Sequence, residues 1–125
     1  VTDMQGMFNT ADFNKDIREF DRNEFGEILF KDFSSEETKN VVVYSPWDDF
    51  EDKDLGTYYF DSSWEKIDHF FVMKKEFIKE FDVLSFEELT NDDGSPNKFE
   101  LYKNKGYSDH LPIFCRINLT KAVNP

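Results

Sequence analysis

The chain has 125 residues, 27 of them acidic against 15 basic, for a formal net charge of −12. That length bounds it to one domain at most. The acidity argues against a nonspecific grip on a phosphate backbone, where Lys and Arg supply the affinity, so a nucleic acid or phosphate ester would need a divalent cation or basic sequence from elsewhere. Fifteen Phe offset a hydrophobic content of only 38%, because each aromatic ring buries a large area. The single Cys115 excludes an internal disulfide and a cysteine-based zinc site.

In chain order, the opening VTDMQGMFNT starts at Val1 rather than Met and reads as the middle of something longer. The expectation is a partial domain, so a missing leader says little about compartment. Ile17, Phe20, Ile28, Leu29 and Phe33 fall near one face of a predicted helix over residues 16–33, although Gly26 inside it costs about 1 kcal/mol relative to Ala. VVVYSP (residues 41–46) reads as a short buried strand ended by Pro, and WDDFEDKDLG as an acidic loop. GTYYF (56–60) and IDHFFVM (67–73) read as two strands joined by a DSSWEK turn. EFDVLSF (80–86) reads as a further strand, with Phe81, Val83 and Phe86 on its apolar side.

TNDDGSPNKF is loop, carrying Asp-Gly and Ser-Pro breakers. In the last segment Leu111, Ile113, Cys115, Ile117 and Leu119 alternate strictly with Pro112, Phe114, Arg116 and Asn118, the period of a strand. Cys115 is expected as a buried, inert thiol there. No run is long or apolar enough to span a membrane, and no secretory h-region is present. Strands with one or two helices and no repeat predict one α+β unit.

Three stretches set acidic or amide residues beside strand ends: ADFN (11–14), WEKIDHFFV (64–72) and GYSDHLPIF (106–114). Singly, each has a plain explanation. Asp12 or Asn14 could cap a following helix, Asp68 and His69 could be exposed edge-strand residues, and Asp109 could hold a turn. Pro112 fixes Asp109 and His110 near the first residues of a strand, at the sheet rim. The acidic WDDFEDKD lacks the glycine-spaced loop of an EF-hand and reads as a solvated loop rather than a Ca²⁺ site. Tyr58, Tyr59, Phe70 and Phe71 read as core rather than a base-stacking platform, with Trp64 open to both.

In this order, ADFN, KIDHFFV and SDHLPI resemble the motifs of the endonuclease/exonuclease/phosphatase superfamily, the deoxyribonuclease-I-like phosphoesterases. SDHLPI matches that family's pattern throughout, whereas ADFN has Ala11 where the family has Gly and lacks a good strand before it. The resemblance covers nearly all of the chain, but about the second half of a family domain. It implies the C-terminal half of a four-layer α/β/β/α sandwich over residues 1–125, with a mixed or antiparallel sheet.

The resemblance also implies roles. Asp109 and Asp12 would serve a divalent cation, Mg²⁺ with Mn²⁺ or Ca²⁺ as substitutes, a hard ion that prefers carboxylate oxygen. His110 would contact the scissile phosphate and Asp68 would orient it, because a carboxylate on one ring nitrogen fixes the tautomer. Asp12 would position or deprotonate the attacking water, with Asn14 holding Asp12 and the phosphate in place. His69, adjacent to Asp68, would point to the opposite face.

The family also uses a metal-binding Glu from its N-terminal half, which nothing before Asp12 supplies. The implied function is therefore a fragment of a metal-dependent phosphodiesterase, nuclease or phosphatase, inactive in isolation. Its expected partners are a phosphate-ester substrate, nucleic acid among them, and the other half of the domain. An uncovered sheet face bearing Ile113, Cys115 and Ile117 predicts self-association, as a homodimer or as aggregate. The alternative is a non-catalytic binding module on the same scaffold.

Overall fold

The structure is a computed structural model, and it describes residues 15–32 and 39–120. Among the described residues six strands form three separate antiparallel ribbons. β1 (Ile28–Asp32) pairs with β2 (Lys39–Val43), β3 (Tyr58–Phe60) with β4 (Ser63–Glu65), and β5 (Ile78–Val83) with β6 (Ile113–Ile117). The named helical elements are short 3-10 helices at Ile17–Glu19, Pro46–Asp49, Lys75–Phe77 and Glu87–Leu89. This is small-sheet architecture with little helix, in keeping with an α+β class. Among the described residues no helix is long and apolar enough to cross a membrane.

The helix expected over residues 16–33 does not form. Asp16 caps a single 3-10 turn: its carboxylate accepts from Arg18 N at 2.9 Å while its own N–H donates to Glu19 Oε2 at 3.2 Å, a capping box closed within one turn. The chain then reverses at residues 23–26, where Asn23 Oδ1 accepts from both Phe25 N and Glu27 N at 2.9 Å. Such side-chain bonds offer the backbone an alternative to the helix ladder. Gly26 takes φ of 79°, left-handed and favourable only without a Cβ. Beyond it Ile28, Leu29 and Phe30 pair with Val43, Val42 and Val41 in β1 and β2.

The β3–β4 ribbon corrects a second expectation. Its return strand is Ser63–Glu65, inside the stretch read as a turn, because Asp61 and Ser62 both adopt positive φ (51° and 63°). Two such residues make the tight turn that suits strand twist. Residues 67–73 are therefore not a ladder strand; their strand-like contact is an isolated bridge between Tyr44 and Val72. β5 starts two residues earlier and ends three earlier than expected, with a register irregularity between Ile78 and Glu80. β6 confirms the alternating segment.

Two-stranded ribbons are marginal alone, and here they share one core. Ile28, Val43, Val83 and Leu111 are buried beside Ile17, Phe20 and Trp47, with Phe30, Trp64, Phe71, Phe81 and Ile113 packed against them. Rings meet edge to face: Phe20 with Phe30 and Phe71, and Trp47 with Phe50 and Phe81, at centroid distances of 4.9–5.5 Å. Trp47 opens the stretch read as an acidic loop, yet it is among the most buried side chains, because Ser45 and Pro46 start a 3-10 turn that directs it inward. Cys115 is half-buried rather than buried, and burial raises its thiol above the ordinary value.

Candidate functional site

His110 is placed by backbone bonds to β3. Leu111 N donates to Thr57 O at 2.8 Å, and Tyr58 forms an isolated antiparallel bridge with His110. Ser108 Oγ accepts from His110 N at 3.0 Å, which closes the turn that presents the ring. On its far side Pro112 O accepts from Leu84 N at 2.8 Å, joining this approach to the end of β5. The imidazole thus sits where β3 meets the entrance to β6.

Asp68 lies on the extended residues 66–72, which have no ladder and are held at several separate points. Lys66 N donates to Asp16 Oδ2 at 2.8 Å, and Ile17 N donates to Lys66 O at 3.1 Å. Trp47 Nε1 donates to the Asp68 carbonyl at 2.8 Å. Val72 exchanges both backbone bonds with Tyr44, at 2.7 and 2.9 Å. Asp16 is buried. Burial alone would raise its carboxyl, but bonds from the Arg18 side chain and backbone and from Lys66 N outweigh that and hold it below the ordinary value.

These two approaches bring Asp68 and His110 together, 42 positions apart in sequence. His110 Nδ1 donates to Asp68 Oδ2 at 2.7 Å, with the side chains 35% and 38% exposed. The carboxylate holds a proton on Nδ1, so it is Nε2 that faces away from Asp68. Tyr58 lies against the imidazole at 5.1 Å between centroids, and Phe60 stacks on Tyr58 at 6.1 Å with planes 8° apart.

His69 turns the other way, as alternation from Asp68 requires. Its Nε2 donates to Lys15 O at 2.8 Å, and its ring packs against Phe20 and Phe71. Its Nδ1 is buried without a partner. Desolvation outweighs the Lys15 carbonyl and nearby carboxylates and pushes its pKa below the usual histidine value.

Asp109 is exposed and lines a cavity of about 350 Å³ with Tyr58, Phe60, Asn97 and Lys98. Among the described residues no group of three or more His, Cys, Asp or Glu side chains converges as metal ligands would. Asp109 alone does not fit Mg²⁺, which needs several oxygen ligands. Asp12 and Asn14 lie outside the described residues.

Sequence reasoning passed over two residues that build the site, Asp16 and Trp47, and read Tyr58, which lies against His110, as core. The Asp16-x-x-Glu19 spacing was a readable signal for a cap. Nothing local announces that Asp16 and Trp47 also grip a segment so distant in the chain. Comparison with models of known protein families, with curated proteins and with solved structures gave no match.

Proposed function

We propose that this chain carries part of the site of a phosphoester hydrolase of the endonuclease/exonuclease/phosphatase kind. The supporting observation is the 2.7 Å bond between His110 Nδ1 and Asp68 Oδ2, which joins two of the motifs behind that resemblance at one rim. On this reading water attacks phosphorus, the P–O bond to the leaving alcohol breaks, and negative charge grows on the phosphoryl oxygens. His110 acts here as the imidazolium, a form that the Asp68 carboxylate favours, and presents its Nε2–H to that phosphate as a donor to the developing charge. Asp12 would position the attacking water and Asn14 would hold Asp12 and the phosphate. Asp109 and Asp12 are the residues offered to Mg²⁺, and no step is assigned to the cation. The ribbons would belong to an inner layer of the four-layer sandwich.

The test is hydrolysis of a chromogenic phosphodiester by the full-length polypeptide in which this sequence occurs, with Mg²⁺ and with chelator. The expected result is Mg²⁺-dependent turnover, lowered about 10²–10⁴-fold in His110→Ala and about 10–100-fold in Asp68→Asn. The 125-residue chain alone is expected to give no turnover. Turnover unchanged in His110→Ala would overturn the assignment. No turnover from the full-length protein would favour a binding module, a reading that the exposed ring of Phe60 supports.

A further inference from the structure

Residues 97–107 form a closed loop immediately before Ser108, Asp109 and His110. Phe99 N donates to Tyr107 O at 2.9 Å, Tyr107 N to Asn97 O at 2.7 Å, and Glu100 N to Lys105 O at 2.8 Å. Gly106 seals the neck at φ of 101°, where an added Cβ would lie 2.1 Å from Lys98 O. The backbone is thus well tied down, yet its apolar side chains face outward. Leu101 is 77% and Tyr102 101% exposed at the apex, with Phe99 and Tyr107 at 48% and 59% nearer the neck. Isolated exposed apolar residues need no explanation, but four on one short loop mark an interaction surface.

Charge decides which partner fits. The molecule is strongly acidic, at −12, whereas this loop holds three lysines (Lys98, Lys103, Lys105) against one glutamate. Glu100 contacts Lys103 at 3.2 Å, which leaves the loop basic on balance. A protein partner of the usual kind needs a broad, complementary patch, and this apex is narrow. A nucleic acid strand needs a basic groove with rings along it on which successive bases stack, and the exposed rings of this loop, Phe99, Tyr102 and Tyr107, do not line the neighbouring cavity. A tip of Leu101 and Tyr102 flanked by lysines, with Tyr107 nearer the neck, instead matches the polarity gradient of a bilayer interface.

We propose that residues 97–107 are a lipid-surface anchor. Leu101 and Tyr102 enter the interfacial region, and Lys98, Lys103 and Lys105 lie against anionic headgroups while their stems follow the apolar side chains. The loop leads directly into Asp109 and His110, and Lys98 shares a cavity wall with Asp109. The proposal does not depend on the hydrolase reading, since anchoring requires no chemistry.

The test is co-sedimentation of the 125-residue chain with phosphatidylcholine vesicles containing or lacking phosphatidylserine. Far-UV circular dichroism establishes that each variant folds. Binding is expected with phosphatidylserine present, weakened at least about tenfold in Leu101→Ser/Tyr102→Ser. Lys103→Gln and Lys105→Gln should each weaken it about fivefold, with less sensitivity to salt. Absence of vesicle binding, or equal binding by the Leu101→Ser/Tyr102→Ser variant, overturns the proposal. So does tip-dependent binding of a single-stranded oligonucleotide, or tip-dependent dimerisation, without vesicle binding.

Discussion

His69 and His110 are the chain's two imidazoles, and their surroundings assign them different work. His110 has one nitrogen on a carboxylate and the other facing away from it, at a half-exposed rim. His69 is packed between Phe20 and Phe71 with Nδ1 shut away from solvent and unpartnered. Adding a proton there would create a buried N–H with no acceptor, which agrees with a pKa lowered chiefly by desolvation. An unfolded histidine titrates near 6.5, so below that value the unfolded chain binds a proton that the native one resists. His69 therefore contributes stability that is fully present above the unfolded value. That contribution is lost as pH falls through it and levels off below the native value. Urea denaturation between about pH 7 and about pH 5 should show a loss on acidification that is smaller in His69→Phe. A native chain and a variant with identical pH dependence would refute this.

At the scale of elements, legibility followed how each segment is held. β6 could be read from the alternation of its sequence, although its burial does not alternate (residues 113–115 are half-buried, Arg116 and Ile117 exposed), and β2 because Val41 to Val43 precede a Ser-Pro stop. The misread segments depend on side chains rather than on propensity. Ile17, Phe20 and Ile28 do face the core, as a helical pattern suggested, while Leu29 is half-buried outside it and Phe33 lies outside the described residues. Asn23 and Gly26 break them into a turn and a strand, and the same apolar residues serve either form. Asp68 and His110 were legible as a pair through motif order. The means of holding Asp68 were not, because residues 66–72 borrow Asp16 and Trp47 from distant segments. Removing one tether should therefore cost more than a surface position suggests. Asp16→Ala deletes the acceptor for Arg18 N, Arg18 Nε and Lys66 N, a loss of about 2–3 kcal/mol. Asp21→Ala, an exposed acidic control, should stay within about 0.5 kcal/mol. Chemical denaturation of both variants decides it: equal, small changes would mean that Asp16 is not a tether.

For the whole molecule, the acidic excess is a stability term as well as a constraint on partners. Arg22 with Asp48, Lys75 with Asp49 and Arg116 with Glu80 form local ion pairs at 2.9, 2.7 and 3.6 Å. Surface pairs of this kind contribute about 0–1 kcal/mol each. Against them stands the mutual repulsion of 27 acidic side chains that 15 basic ones cannot neutralise, and self-repulsion disfavours the compact state. Salt weakens both, but unequally. The paired charges are a few ångströms apart, well inside the Debye length of about 8 Å at 0.15 M, whereas unpaired carboxylates repel over the about 30 Å available at 0.01 M. Screening should therefore remove more repulsion than attraction. The melting temperature is expected to rise as NaCl increases from about 0.01 M to about 0.15 M, with KCl giving the same curve because no specific ion is involved. A fall over that range would show that the ion pairs outweigh the acidic excess, and a difference between the two salts would point to a bound cation rather than screening.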